Sequence, residues 1–271
     1  MQKPNKKSLW IFLNILFLSL FTQIISIEAH ESKDKDIFPL KKGNYWIYQG
    51  VVIDLFFTNV KSPAATSNDI WRFNILFSRE KVNKSVLLEK TLTWKMEVVD
   101  VIVRDQMKVA LIKGHPQDLT WYEKGQTRDE SLIVSINDAK FYLIYGSKRR
   151  KEFLEKLNRN PQEAILLLDD QWDMFAAFPL NPGQFCDGRE HTSLLDWFGR
   201  CYVEDEEKMD LSDVKGLRHQ KFSGYHLAQR DNTGHTFINF VPGVGITHYI
   251  YSHHGTVSEV DMKLIKFYQA N

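Results

Sequence analysis

From residue 44 to the end, apolar and polar side chains alternate with a period of two over most of the chain, the repeat of a half-buried strand. "NYWIYQGVVIDLFF" (44–57) is rich in β-branched and aromatic residues. In "TLTWKMEVVDVIV" (91–103), Leu92, Trp94, Met96 and Val98 share one face, and Thr91, Thr93, Lys95 and Glu97 share the other. "MKVALIK" (107–113) repeats the pattern with Val109 and Leu111, and the intervening "RDQ" suits a hairpin turn. Further strands are predicted over 70–77, 140–146, 196–204, 224–231, 235–241, 246–254 and 257–269. With Asp, Asn and Gly turns between them, the pattern predicts a mainly β protein, a curved antiparallel sheet or half-barrel.

One stretch breaks the alternation. "SKRRKEFLEKLNRNPQEAILLLDD" (147–170) sets Phe153, Leu154 and Leu157 on a helical stripe, and Pro161 opens a second short helix with Ile165, Leu166 and Leu168. This helical insert would cover one face or end of the sheet. "KSPAATSND" (61–69) reads as a loop, and no internal repeat is present.

The first 29 residues follow a different rule. Lys3, Lys6 and Lys7 precede an apolar run from Leu9 to Ile27, and Ala29 offers a small residue for cleavage. That order is the pattern of a secretory signal peptide. The run comes close to the roughly 20 residues needed to span a bilayer, so an uncleaved N-terminal anchor is the competing reading. Either way the remainder is expected to be exported, to the periplasm or beyond. No cysteine near the cleavage region could carry a lipid. Residues 30–42 are read as a flexible lead and 43–271 as a single β-rich domain.

Removing residues 1–29 takes away three of 35 Lys+Arg and one of 34 Asp+Glu, leaving 32 against 33, a net charge of −1. A near-neutral surface without a basic block does not point to nucleic acid. Membrane contact is expected only if the N-terminal segment stays attached.

Cys186 and Cys201 are the only cysteines. In an exported chain their spacing of fifteen invites a structural disulfide, with two buried free thiols as the alternative. No C-x-x-C redox spacing occurs, and His191 alone does not complete a metal site with them.

Phe38-Pro39-Leu40, Gly43, Trp46 and Tyr48, just after the signal segment, form an F-P-L-x-x-G-x-x-W-x-Y run. It resembles the opening of many secreted and lipoprotein-like bacterial proteins. Those proteins often carry a P-G-V-G turn near the C-terminus, as Pro242-Gly243-Val244-Gly245 does here, and a closing strand with a leucine like Leu264. The resemblance covers both ends and little of the middle. It implies a curved antiparallel sheet of the periplasmic lipoprotein-carrier kind and an envelope location. It implies no activity and no functional residue. From the residues themselves, Pro39 and Gly43 shape a turn, while Trp46 and Tyr48 share one strand face, with Ile47 opposite. Their role reads as structural.

No G-x-S-x-G elbow, phosphate loop, dinucleotide fingerprint or H-E-x-x-H helix occurs, and no cofactor is indicated. His248, His253 and His254 could form a metal site only if Glu259 or Asp261 crossed from a facing strand; surface or turn histidines are the plainer reading. The acidic runs "DDQWD" (169–173) and "EDEE" (204–207) lack the spacing of a calcium loop and read as solvated faces. Asn83-Lys84-Ser85 marks a surface loop. Tryptophans at 46, 71, 94, 121, 172 and 197 remain after export; most suit pinning a large sheet, with Trp94, Trp121 and Tyr122 the ligand-binding candidates.

"EVVDVIV" and "YWIYQGVVI" are apolar on both faces, so a sheet built from them needs cover on both. The helical insert supplies one cover, and a ligand suits the other. The function expected is therefore non-enzymatic, the binding of a lipid or other apolar ligand, or of an envelope protein, on a curved sheet. A glycan-binding or glycan-active module and a structural scaffold are the alternatives.

Overall fold

The alternating segments pair into one antiparallel sheet of eleven strands that nearly closes on itself. The computed structural model describes residues 36–54, 89–120, 130–169, 173–190, 199–218, 221–230, 234–253 and 258–270. The strands are β1 (Tyr45–Asp54), β2 (Glu89–Arg104), β3 (Met107–Lys113), β4 (Glu130–Ile136), β5 (Lys140–Ile144), β6 (Met174–Ala177), β7 (Cys201–Asp210), β8 (Lys221–Arg230), β9 (Gly234–Val241), β10 (Gly245–His253) and β11 (Ser258–Tyr268). Their spatial order is β6-β5-β4-β3-β2-β1-β11-β10-β9-β8-β7. Every consecutive link joins sheet neighbours except β6 to β7, and those two are the edges. Residues 36–271 form one compact unit, divided from residues 1–35.

The segment between the edges closes the seam. The Ala177 N–H donates to the Cys186 carbonyl (2.6 Å), and the Cys186 N–H donates in turn to Cys201 (2.8 Å). The Val203 N–H donates to Gln184 (2.9 Å), and Phe185 bridges Tyr202 in antiparallel fashion. Residues 184–186 thus lie between β6 and β7 as a short connecting strand, and the Cys186–Cys201 disulfide, with its Cα atoms 5.2 Å apart, staples it to β7.

The alternation sorts side chains into two layers. Trp46, Tyr48, Trp94, Met96, Ile112, Ile133, Phe141, Phe240 and Met262 point into the enclosed side and belong to one large core. On the opposite face of β3 to β6, Val109, Leu132, Val134, Tyr142 and Met174 form a second core with helix α1 (Ser147–Arg159) and the short helix α2 (Pro161–Ile165). Phe153 and Leu157 of α1 are buried there, as their spacing predicts. In and just after α2, Ala164 is buried against the second core and Ile165 and Leu168 pack on it, as predicted, whereas Leu166, past the helix end at 83 % exposure, lies in solvent. Asn160 caps α2 by accepting from the Gln162 N–H (3.1 Å), and Pro161 stands at the first position, where no donor is needed.

Three features differ from the sequence reading. β4, "ESLIVSI", is absent from the predicted strands because both of its faces are buried, one in each core, and nothing alternates. β6 spans only four residues and also went unpredicted. β7 continues through "EDEE" to Asp210, so that acidic run lies within a strand. The apolar doubling in "EVVDVIV" has a local cause. A bulge between Val98 and Asp100 shifts the phase, turning Val101 toward the enclosed core and Ile102 toward the helical layer. The predicted strand 70–77 lies outside the described residues, as do the signal segment, Asn83, His191, His254, Trp71, Trp172 and Trp197.

Phe38 and Leu40 are buried in the large core, so the packed chain begins before residue 43. The Phe38 ring meets Trp46, Phe141, Phe175 and Phe240, which come from four strands, and plugs the end of the sheet where β1 starts. The P-G-V-G turn folds onto this plug. The Gly243 N–H donates to Ile37 (2.9 Å), and a Cβ on Gly245 (φ +98°) would stand 2.6 Å from the Phe38 ring. Only glycine fits there.

Candidate functional site

The strand ends away from the Phe38 plug carry a buried polar cluster. It sits against a row of apolar residues that register places side by side. Gly50 of β1 pairs with Leu92 and Met262, Met262 with Tyr249, Tyr249 with Ile238, Ile238 with Leu227, and Leu227 with Val203. All except Gly50 and Tyr249 are aliphatic or Met, so one polar hydroxyl stands in an apolar wall. A side chain is excluded at Gly50 because a Cβ there would lie 1.9 Å from the Asp261 carbonyl of β11.

His115 is the centre of the cluster. It follows β3 and caps the 3-10 turn Pro116–Leu119, and Pro116 fixes the turn's first position. Its Nδ1 accepts from the Gln117 N–H (3.2 Å) and lies 2.5 Å from the Tyr145 hydroxyl. With one N–H already directed at Nδ1, that nitrogen is an acceptor; Tyr145 donates to it, and the ring proton resides on Nε2. His115 is 2 % exposed. Burial pulls its pKa from the usual 6.5 down to about 3, so the imidazole is neutral at physiological pH.

Tyr145 extends the inward series of Phe141 and Leu143 one step past β5. Burial, with Tyr249 and Asp118 adding to it, pushes its phenol well above the usual value, so it stays protonated and a donor. The Tyr249 ring faces His115 edge-on, with centroids 6.5 Å apart, and the Tyr145 ring does so at 5.7 Å. Residues following β3 and β5 therefore meet a residue of β10 across the enclosed core. Trp94 supports the same end, its indole N–H bonded to the Gly114 carbonyl (2.9 Å).

Of the three aromatic ligand candidates, Trp94 is a buried wall residue beside the cluster, whereas Trp121 and Tyr122 lie outside the described residues. His248 meets Asp261 on the outer face (Nε2 to Oδ1 2.7 Å). Beside it, His226 bridges Glu207 (2.8 Å) and Asn239 (2.9 Å). These are cross-strand ties between neighbours. Among the described residues no three His, Cys, Asp or Glu side chains gather as a metal site. Of "DDQWD", Asp173 is buried rather than solvated and is clamped by Arg149. His115, Tyr145 and Tyr249 were not singled out by the sequence reading. The legible signal was "GHP" directly after a strand, a side-chain acceptor followed by proline at a turn.

An eleven-stranded antiparallel sheet, nearly closed and plugged at one end, with a neutral polar cluster in its apolar interior, is the class that fold and site define. No family model matches the chain, and no curated protein matches its sequence. Two solved structures are similar over most of it. A Bacteroides fragilis protein described as exported and as having a YmcC-like fold shares 9% identity at a TM-score of 0.38, covering 87% of this chain and 100% of its own. A Parabacteroides distasonis protein described as a lipoprotein shares 10% identity at a TM-score of 0.38, covering 88% and 100%. At that distance neither bears on what this chain does.

Proposed function

We infer that the chain is an exported, non-enzymatic binding protein that holds a small ligand with an apolar body inside its sheet. One observation carries this reading: an enclosed face made apolar by nearly every strand, with a few buried polar groups converging at one end. That composition, a mostly apolar lining with a small number of placed polar atoms, is typical of small-molecule sites, including the mouths of β-barrels. About eight strands already enclose room for side chains or one small ligand, and eleven enclose more.

At this cluster, burial lowers the imidazole pKa of His115 and raises the phenol pKa of Tyr145, so both groups are set to hold a ligand by hydrogen bonding rather than to move a proton near neutral pH. Export rests on the sequence of residues 1–29 and on the disulfide, a bond that persists in oxidising compartments.

The test is native mass spectrometry of the chain purified from envelope extract, followed by titration with a long-chain fluorescent probe. A co-purifying lipid or a saturable one-to-one titration is the expected result. Neither adduct nor saturation at high micromolar probe would remove the reading.

A further inference from the structure

We propose that the open edge of β7, residues 204–210, is a docking site for a partner protein, which adds an extended segment carrying Lys or Arg at alternate positions as a further strand. Nothing in this depends on a ligand inside the sheet.

The openness of the edge follows from the strand order. Of the two edge strands, β6 has four residues and β7 has ten. The chain covers the start of β7 itself: the Cys186 N–H donates to Cys201, Val203 to Gln184, and Gly183 to Val203. Past Val203, β8 pairs along one side as far as Asp210, and among the described residues no main-chain bond reaches the other side. The Glu206 N–H turns to its neighbour's side chain, Asp205 Oδ1, at 2.7 Å. All of residues 204–208 are exposed, so neither face of the strand is covered there. Unpaired main-chain groups along an exposed edge are a template for another strand, and sheet edges recruit extended peptides in this way.

Charge names the occupant. Residues 204–207 read Glu-Asp-Glu-Glu, and among the described residues no Lys or Arg pairs with any of them. Glu206 accepts from the Ser223 hydroxyl (2.6 Å), and Glu207 meets His226 (2.8 Å). Asp205 pairs in register with His226, so it shares the outer face with Glu207. Lys or Arg at every second position of an added strand would lie beside these two carboxylates as cross-strand neighbours. A second copy of this chain is a poor fit, since pairing through residues 204–207 would set carboxylate against carboxylate.

The experiment follows the fluorescence anisotropy of labelled eight-residue peptides as the full chain is added at pH 7.5. The peptides are alternating Lys-Val, alternating Glu-Val, and Lys-Val N-methylated at every amide. Lys-Val should bind one-to-one and more than about tenfold more tightly than either of the others, tenfold being the size of one good hydrogen bond. Asp205→Lys/Glu207→Lys, shown to be folded by circular dichroism, should lose about tenfold for Lys-Val. Equal binding of the N-methylated peptide by the unsubstituted chain overturns strand addition, whether or not the variant folds. No saturation of Lys-Val at high micromolar chain overturns it too, as does full affinity in the folded charge-reversed chain. Sedimentation showing a dimer that the same charge reversal dissociates would give the edge to a second copy, and the proposal would fall.

Discussion

The indole N–H of Trp46 donates to the main-chain carbonyl of Val244, 2.6 Å away and 198 residues further along the chain. The Tyr48 hydroxyl does the same to Ile246 at 2.9 Å. The pairing of β10 with β11 begins only at His248, so the carbonyls before it lack that ladder partner, and the two inward aromatics of β1 reach across to satisfy them. Asn44 completes the clasp, donating to Pro39 (2.6 Å) and accepting from the Ala270 N–H (2.8 Å). The F-P-L-x-x-G-x-x-W-x-Y run and the P-G-V-G turn are thus two halves of one contact. Trp46→Phe keeps the ring and removes the donor, leaving a buried carbonyl unmatched at a cost of about 1–3 kcal/mol. In a chain of this length that lowers Tm by roughly 2–4 °C per kcal/mol. Urea unfolding reads it directly, and a midpoint equal to that of the unsubstituted chain would refute the clasp.

Why was the fold legible and the site not? Strands with one face in the large core and the other in solvent keep the period of two, and Trp94, Met96 and Val98 are of this kind. β4 lies between two cores, so Leu132, Ile133 and Val134 are all buried and the alternation vanishes. The inward direction of Trp46 and Tyr48 could be read from parity, but their acceptors, some 198 residues away, could not. His115 and Tyr145 lie just past strand ends, where periodicity stops, and Tyr249 meets them only because the sheet curls round. Sequence carries faces, whereas the cluster depends on closure.

Closure itself can be tested at the seam. The Cys186–Cys201 bond ties the connecting residues to β7 where no long ladder joins the two edges. On the chain-entropy model a loop of fifteen residues is stabilised by about 3 kcal/mol, so Cys186→Ala/Cys201→Ala should unfold at lower urea by that amount. The double variant should also ignore reductant, which the unsubstituted chain should not. An unchanged midpoint in dithiothreitol, with two thiols counted, would mean the seam holds without the bond.

Helix α1 is fastened to β6 by a forked ion pair. Arg149 Nη1 and Nη2 donate to the two carboxylate oxygens of Asp173 at 2.7 and 2.6 Å, and the Asp169 N–H adds a third bond at 3.1 Å. Asp173 is buried while half of Arg149 reaches solvent. Arg149→Ala should therefore cost about 2–4 kcal/mol, below the full penalty for a wholly buried pair, because the lost cation was partly hydrated. Arg149→Lys, which has no planar fork, should recover only part. Thermal unfolding of the three chains ranks them, and a Lys variant as stable as the original would show that the fork geometry is immaterial.

The neutral state of His115 makes stability depend on pH in a known direction. Its pKa is depressed from 6.5 to about 3 by burial, so below pH 6.5 the unfolded chain takes up a proton that the folded chain refuses. The stability this group contributes is complete above pH 6.5 and is lost as pH falls toward 3, at roughly 1.4 kcal/mol per pH unit. Between pH 7.5 and pH 5 the loss amounts to about 2 kcal/mol. Other carboxylates and histidines titrate over the same range, so the quantity to measure is a difference. His115→Gln cannot titrate, and its denaturant midpoint should fall less on acidification, by an amount equal to that 2 kcal/mol. Parallel profiles for the two chains would mean that His115 is protonated in the folded state, and the assignment of Nδ1 as acceptor and Nε2 as donor would then be wrong.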